Sequence, residues 1–150
     1  MITSSNPVEI INQLKAIVGS QNYIEDTSQM ESYLNDARGL FHGMSPLILK
    51  PLNSEMVSAI VTLCNEASIG IVPQGGNTGL VGGSVPSKSG LEVVISMERM
   101  NKIIDIDPIN YTMTLEAGCI LSDAQNAAID VGRMFPLSLA AEGSCQIGGN

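Results

Sequence analysis

Residues 73–83 read Pro73-Gln74-Gly75-Gly76-Asn77-Thr78-Gly79-Leu80-Val81-Gly82-Gly83, and this glycine-rich stretch decides how the chain is interpreted. Five of the 15 glycines of the chain lie within it, which is more than a turn needs. Glycine lets a backbone approach a ligand closely and adopt a positive φ. Successive backbone N–H groups in such a loop form a concave anion site. The stretch therefore predicts a cradle for a phosphate or pyrophosphate, with Asn77 and Thr78 as further side-chain donors.

Two widespread phosphate-binding motifs do not fit this stretch. The dinucleotide pattern G-x-G-x-x-G is absent from it, and no clear helix pattern follows it. The nucleotide-binding P-loop ends in Gly-Lys-Ser/Thr, whereas Lys88-Ser89 here follows Ser87. Since glycine loops are common, a tight or mobile loop without function stays open as the alternative on composition alone.

The segment before the loop predicts two helices. Asn6, Pro7 and Glu9 form a helix start with a capping box, an apolar stripe follows to Val18, and Gly19 ends the helix. A second, shorter helix is predicted over residues 28–33, with Ser28 and Glu31 as its capping box, and residues 36–45 are expected to form a loop.

A parallel strand–helix–strand unit surrounds the glycine-rich stretch. A short strand at 47–49 precedes a helix that begins at Asn53 or Ser54 and is stopped by Gly70, and residues 71–72 form a second strand. Residues 91–96 are a continuous apolar run, which is typical of a buried strand.

Antiparallel structure is predicted for the part after the parallel unit. Residues 102–107 and 111–117 have the pattern of a hairpin with one wet face, and a helix capped by Ser122 with Gln125 at the box position ends near Gly132. The prediction is therefore an α+β fold, a small parallel βαβ subdomain followed by antiparallel strands and a helix.

Composition excludes several classes of protein. With 44% hydrophobic and 15% charged residues among 150, the chain can build a core. Seven Lys and Arg against 15 Asp and Glu give a net charge of −8, which argues against a nucleic-acid partner. No apolar run approaches the ~20 residues of a membrane span, and the N-terminus has no secretory signal pattern. Three separated cysteines indicate free thiols in a reducing cytoplasm, and a single histidine leaves no metal site.

Several segments together resemble the FAD-binding domain of FAD-linked oxidases of the vanillyl-alcohol oxidase type. The resemblance is strongest to the branch of D-2-hydroxyglutarate dehydrogenase, D-lactate dehydrogenase and the glycolate oxidase FAD subunit. The glycine-rich stretch resembles the pyrophosphate loop of that family. Further similar pieces occur in the same order, namely Lys50-Pro51 with residues 54–57, then 96–101, 116–118, 135–137 and 143–150. Such an ordered match, covering nearly the whole chain from Tyr33 onward, is more specific than a single loop.

The resemblance implies FAD as cofactor and assigns its contacts to two stretches. In the first, backbone amides would wrap the pyrophosphate, and in the second, residues would line the flavin side and the middle of the cofactor. The implied cofactor-binding residues are Pro73, Gln74, Gly75, Gly76, Asn77, Thr78, Gly79, Gly82 and Gly83, and then Pro136, Gly143, Ser144, Gly148, Gly149 and Asn150. Some relatives attach FAD covalently through a histidine in the first loop. This loop has none, and His42 lies elsewhere as a loop residue without chemistry, so we expect non-covalent FAD.

The resemblance also implies a domain division. Residues 1–45 are expected to be a helical lead-in, and residues 46–150 the N-terminal portion of an FAD-binding domain that is truncated at Asn150. The cap domain that binds substrate is expected to be absent, and with it the catalytic base and any metal ligands. We therefore name no catalytic residue. Asp105, Asp107 and Glu116 are explained as strand-surface positions by the alternating pattern.

The function implied is that of the FAD-binding part of a dehydrogenase. Such an enzyme oxidises a D-2-hydroxy acid, a small molecule such as D-2-hydroxyglutarate or D-lactate, to a 2-oxo acid by hydride transfer to FAD. Two alternatives stay open, an FAD-dependent sugar or alcohol oxidase and a non-catalytic nucleotide-binding module. The electron acceptor is not indicated, a homodimer is one possible assembly, and a cytoplasmic location is expected.

Overall fold

The computed structural model of the chain describes residues 6–150. Helices and strands are interspersed along it. The α+β prediction is confirmed. In chain order the elements are α1 (Pro7–Val18), β1 (Tyr23–Ile24), α2 (Glu31–Leu34), β2 (Ile48–Leu49), α3 (Ser54–Ala67), β3 (Gly70–Gln74), β4 (Glu92–Ser96), β5 (Ile103–Asp107), β6 (Thr112–Leu115) and α4 (Leu121–Asp130). Short 3₁₀ turns lie at Thr27–Gln29 and Ile147–Gly149. No helix in the part of the chain described is long and apolar enough to cross a membrane.

The first sheet has the strand order β1-β2-β4-β3. β2, β4 and β3 are parallel, and β1 adds an antiparallel edge. β2 and β3, which α3 connects, are not neighbours, because β4 lies between them and pairs with both. The buried strand predicted for residues 91–96 is confirmed, since Val93 and Val94 in this central strand are fully buried. Only Leu91, just outside β4, is largely exposed.

The core lies on both faces of this sheet. α1 and α3 cover one face, where Leu14 and Ile60 pack with strand residues Leu49 and Val93. The other face holds a smaller cluster, which consists of Met30, Ile48, Val72 and Val94. Neighbouring residues such as Ile48 and Leu49 point to opposite faces because side chains alternate along a strand.

The predicted ends of the helices are partly confirmed. α1 begins after Asn6, whose Oδ1 accepts a bond from the Val8 N–H at 3.1 Å, and ends at Gly19 with φ of 82°. α3 begins after Asn53, but Ser68, rather than Gly70, takes the left-handed position that ends it, with φ of 55°. Gly70 is already the first residue of β3.

Two predicted caps are wrong. In the second helical region Asp26, rather than Ser28, is the cap, and it accepts bonds from the Ser28 N–H at 2.9 Å and the Ser28 hydroxyl at 2.7 Å. In α4 the residue before the helix is Ile120, so Ser122 lies inside the first turn. The N–H of Ser122 donates instead to the carbonyl oxygen of Glu142 at 3.0 Å, a bond that fastens α4 to the last segment.

The second sheet is the predicted hairpin of β5 and β6. Exposed and half-buried residues alternate along β6 as predicted, but the first three residues of β5 are all exposed, so the prediction of a single wet face is wrong for β5. It joins the rest of the molecule through a close backbone contact at Gly118. A β-carbon at Gly118 would lie 2.0 Å from the carbonyl oxygen of Met97, so only glycine fits there. The hairpin and α4 are thereby held beside the carboxyl end of β4.

Candidate functional site

The glycine-rich loop starts at the carboxyl end of the edge strand β3. Pro73 lacks an N–H group and is tolerated in β3 because this strand has a neighbour on one side only. Gln74, the last residue of β3, is 2% exposed. Its Nε2 donates to the carbonyl oxygens of Tyr33 at 2.9 Å and Ser84 at 2.7 Å. The Gln74 side chain therefore anchors both ends of the loop, and its amide is occupied within the protein.

Asn77 provides a second anchor for the loop. Its Nδ2 donates to the carbonyl oxygens of Ser32 at 3.0 Å and Asn35 at 2.7 Å, and its Oδ1 accepts a 2.7 Å bond from the Ser84 hydroxyl. Asn77 also has a φ of 53°, a left-handed conformation that asparagine tolerates better than most residues. The Asn77 side chain was expected to donate to a ligand, but its hydrogen bonds go to other residues of the protein and shape the loop. Its backbone N–H is left to bind a ligand.

The backbone N–H groups of the loop have no acceptor within the part of the chain that the structure describes. Between Gly75 and Ser84, no N–H donates a hydrogen bond to any residue in the range 6–150. This run of donors is held in place by the two amide anchors at Gln74 and Asn77. Since successive N–H groups form a concave anion site, the loop can bind a phosphate without any positively charged side chain.

A long-range pairing brings the second predicted stretch against this loop. Ile120 and Gln146 form an antiparallel bridge. Beside it, the Leu121 N–H donates to the carbonyl oxygen of Cys145 at 3.1 Å, and the Ile147 N–H donates to that of Cys119 at 2.8 Å. A β-carbon at Gly75 would lie 3.3 Å from the Gln146 β-carbon, and one at Gly76 would lie 3.1 Å from the Cys145 Cα, so this pairing lies beside the glycine-rich loop.

The two stretches enclose a cleft of about 270 Å³. Nine of the residues predicted to bind cofactor line it, and these are Pro73, Gly75, Gly76, Asn77, Thr78, Gly79, Gly83, Gly149 and Asn150. The structure adds four residues that the sequence reasoning did not select, Val81, Ser84, Cys145 and Gln146. Ser84 and Gln146 carry polar groups, but only the folded chain shows that they lie at the cleft.

Six predicted residues lie outside the lining of the cleft, and some of them support it. Gln74 is the buried anchor described above. The carbonyl oxygen of Ser144 lies against Gly76. Gly148 donates its N–H to the carbonyl oxygen of Ala117 at 2.8 Å. The remaining three of this group are Gly82, Pro136 and Gly143.

The charge distribution around the cleft suits an anion despite the net charge of −8. None of the residues described as lining it is charged. The Arg38 guanidinium donates to the carbonyl oxygen of Leu80 at the outer part of the loop, which places a positive charge there. An anion in the cleft therefore meets backbone donors and a nearby cation rather than carboxylates.

Asp36 organises the neighbouring loop that carries Arg38. Its carboxylate accepts bonds from the N–H groups of Leu40 and Phe41, each at 2.7 Å. The Phe41 N–H bond, together with those of Leu40 and Arg38, lowers the pKa of the Asp36 carboxyl below its ordinary value. Phe41 in turn contacts the glycine-rich loop, because its ring would lie 2.6 Å from a β-carbon at Gly82.

One family of known proteins matches most of this chain. The family described as "FAD binding domain" matches residues 45–150. The chain belongs to this family. FAD is the cofactor of the family, so the FAD prediction is confirmed at this level. Within residues 6–150, no group of three or more His, Cys, Asp or Glu side chains is arranged to hold a metal ion.

Relatives of the FAD-binding chain fall in the predicted branch. It is 41% identical over 140 residues to the mitochondrial D-2-hydroxyglutarate dehydrogenase of Arabidopsis thaliana, covering 93% of this chain and 25% of that protein. It is 40% identical over 140 residues to a protein of Schizosaccharomyces pombe named as a mitochondrial D-lactate dehydrogenase, covering 93% of this chain and 26% of that protein. Among solved structures, alkyldihydroxyacetonephosphate synthase superposes with a TM-score of 0.83 at 22% identity, over 97% of this chain and 29% of that one, which shows the shared fold.

Two consequences follow from these relatives. The chain spans about a quarter of the length of the curated relatives that it matches. The expected cytoplasmic location is wrong, because these relatives are mitochondrial. The three free, buried thiols on which that expectation rested do not distinguish one compartment from another.

Proposed function

We propose that this chain is the FAD-binding portion of a flavin-dependent dehydrogenase that oxidises a D-2-hydroxy acid to a 2-oxo acid. The observation that carries the proposal is the 41% identity, over 93% of the chain, to a D-2-hydroxyglutarate dehydrogenase. The cleft supports it independently, because a run of unpaired backbone donors next to uncharged walls fits the pyrophosphate of FAD. Within this proposal residues 46–150 are the FAD-binding portion and residues 1–45 its helical lead-in.

Different residues of the chain bind FAD and keep the binding groups in position. The N–H groups between Gly75 and Ser84 bind the pyrophosphate, and the anchors Gln74 and Asn77 keep those donors in position before the cofactor arrives. Such preorganisation reduces the ordering cost of binding. FAD, when bound, supplies the chemistry of hydride acceptance, which side chains cannot provide.

FAD is held without a covalent bond in this proposal. His42, the single histidine of the chain, is absent from the lining of the cleft, and its Nδ1 lies 2.7 Å from the Asn35 Oδ1. A covalent link through histidine therefore has no partner here within residues 6–150. Acid treatment should release all flavin from the protein into the supernatant.

The test of the function uses protein expressed from its complete reading frame. We expect a yellow protein that contains FAD, and anaerobic addition of D-2-hydroxyglutarate or D-lactate should bleach its flavin absorbance. L-2-hydroxyglutarate, L-lactate and aldose sugars serve as the matched controls. A redox dye then measures turnover with whichever compound bleaches the flavin.

Three results would contradict the proposal in different ways. Purified protein without flavin absorbance, which also fails to take up added FAD, removes the cofactor assignment. Flavin that is reduced by a sugar or alcohol but not by a D-2-hydroxy acid points to an oxidase of another substrate class. Flavin that no tested compound reduces leaves a nucleotide-binding module without this activity.

A further inference from the structure

Gln146 carries a buried acceptor that the protein itself does not satisfy. The side chain is 9% exposed, and its Oε1 is one of two buried side-chain oxygens within residues 6–150 that have no hydrogen-bond partner. The other, Asn22 Oδ1, belongs to the turn after α1. An unsatisfied buried carbonyl costs free energy, so its partner is a group outside the protein chain, either a water molecule or a ligand.

The unpaired Oε1 lies against the start of the glycine-rich loop. Gln146 lines the cleft beside the glycine-rich loop, and a β-carbon at Gly75 would lie 3.5 Å from its Oε1. The backbone of Gln146 is fixed by the bridge to Ile120, with bonds on both sides of it. The acceptor is therefore held next to the first N–H donors of the loop.

An acceptor in this place distinguishes the parts of a ligand. The N–H donors of the loop suit phosphate oxygens, whereas the side-chain carbonyl oxygen of Gln146 repels phosphate oxygens and needs a hydrogen to accept. The group that fits is a hydroxyl on the carbon chain next to the phosphates. In FAD such hydroxyls lie on both sides of the pyrophosphate, on the ribityl chain and on the ribose.

We propose that Gln146 is a ligand-contacting residue whose side-chain carbonyl accepts a hydrogen bond from a sugar-type hydroxyl adjacent to the pyrophosphate. This inference rests on the proposed function, since it takes the glycine-rich loop as the pyrophosphate site. It gives a role to the one side-chain oxygen of the cleft lining within residues 6–150 that is buried without a partner. It also gives the site a means to prefer FAD over a bare pyrophosphate.

The test compares Gln146→Met with the wild type in protein expressed from its complete reading frame and freed of flavin. Titration calorimetry measures FAD, ADP and inorganic pyrophosphate. We expect the Kd for FAD to rise about 10-fold, because a ligand hydroxyl is left unpaired, and the Kd for pyrophosphate to stay within about twofold. A parallel rise for ADP assigns the hydroxyl to the ribose, and an unchanged ADP affinity assigns it to the ribityl chain.

The thermal unfolding of the flavin-free protein provides a second readout. Gln146→Met removes an unsatisfied acceptor, so its Tm should equal or exceed that of the wild type although its FAD binding is weaker. A residue with a merely structural role would give a lower Tm. Gln13→Met, at an exposed position of α1, is the matched control and should change neither quantity. Gln146→Leu tests the same expectation should the methionine variant fail to fold.

Clear outcomes overturn the inference. A Kd for FAD within twofold of the wild type does so, as does an equal loss of FAD and pyrophosphate affinity, since the effect would then lie in the phosphate cradle. A lower Tm of the flavin-free variant also overturns the inference, because it would show that the Gln146 amide is hydrogen-bonded within the protein. If the wild-type protein binds pyrophosphate but no FAD, the proposed function itself is contradicted. This result is obtained from the wild type alone, so it is distinct from a failure of the Gln146 inference.

Discussion

A β-carbon placed on Gly76 would lie 1.9 Å from the carbonyl oxygen of Ser144. The two glycine-containing stretches, 68 residues apart in the chain, therefore touch backbone to backbone at this point. No L-amino acid with a side chain fits there unless one stretch moves. The requirement for glycine comes from close approach, since Gly76 is not among the residues with a positive φ.

Gly76→Ala should consequently open the cleft and weaken FAD binding by at least about 10-fold, with a loss of about 1–3 kcal/mol in the free energy of unfolding. FAD titration and urea denaturation measure the two effects. The matched control for the loss of stability is Gly79→Ala in the same loop, because a β-carbon at Gly79 has no protein atom within 4 Å. Equal losses in the free energy of unfolding for both substitutions would contradict the close-approach explanation.

The sequence was sufficient for those parts of the fold that depend on neighbouring residues. The apolar run of β4 and the caps at Asn6 and Asn53 follow from local patterns, and all three are present. Local patterns failed where a distant segment decides the geometry. Ser122 is a good cap by type, but the pairing of Ile120 with Gln146 starts α4 earlier and places Ser122 inside it.

In the candidate site, too, local sequence patterns predicted some features, and contacts with distant segments decided the others. The glycine-rich loop predicted an anion cradle, and its unpaired N–H groups agree with that. The use of the Asn77 amide could not be predicted, because it bonds to Ser32 and Asn35, 45 and 42 residues earlier in the chain. Likewise nothing in the local sequence indicates that the Gln146 carbonyl is buried without a partner. The side chains of Gln74 and Asn77, which were expected to bind the cofactor, thus shape the loop, and Gln146, which was not predicted to bind it, lines the cleft.

The stability of the protein should fall in acid partly because of Asp36. Its pKa is lower in the folded chain than in the unfolded one, where it is about 3.9. The contribution of the carboxylate is therefore fully present above that value and is lost as pH falls through the lower folded pKa. Thermal unfolding between pH 6 and pH 3 should show a smaller loss of Tm for Asp36→Asn than for the wild type. Identical slopes would contradict this role for the carboxylate.

The three cysteines should be free and slow to react in the folded protein. Cys64, Cys119 and Cys145 are all buried, and none is in a disulfide. Burial raises the pKa of the Cys64 and Cys119 thiols, which reduces the fraction of reactive thiolate. A thiol reagent at pH 8 should label none of them within minutes, and all three after denaturation. Ser58→Cys, at an exposed position of α3, should react at once, and equally fast labelling of the wild type would refute the prediction.

Substitutions at Asn77 can separate the loop anchor from the backbone strain. Asn77→Gly removes three side-chain hydrogen bonds but suits the φ of 53°, whereas Asn77→Ala removes the same bonds and leaves a β-carbon in the left-handed region. We expect the alanine variant to be less stable than the glycine variant by roughly 0.5–1 kcal/mol in urea denaturation.

Both Asn77 variants should bind FAD more weakly than the wild type, because the N–H donors are then no longer held in position. Asn12→Ala, at an exposed position of α1, is the control and should change neither the stability of the loop nor the affinity for FAD. A glycine variant with wild-type FAD affinity would show that the anchor is dispensable. The loop would then take its shape from the contact between Gly76 and Ser144, and only the Gly76 substitution would affect the cofactor.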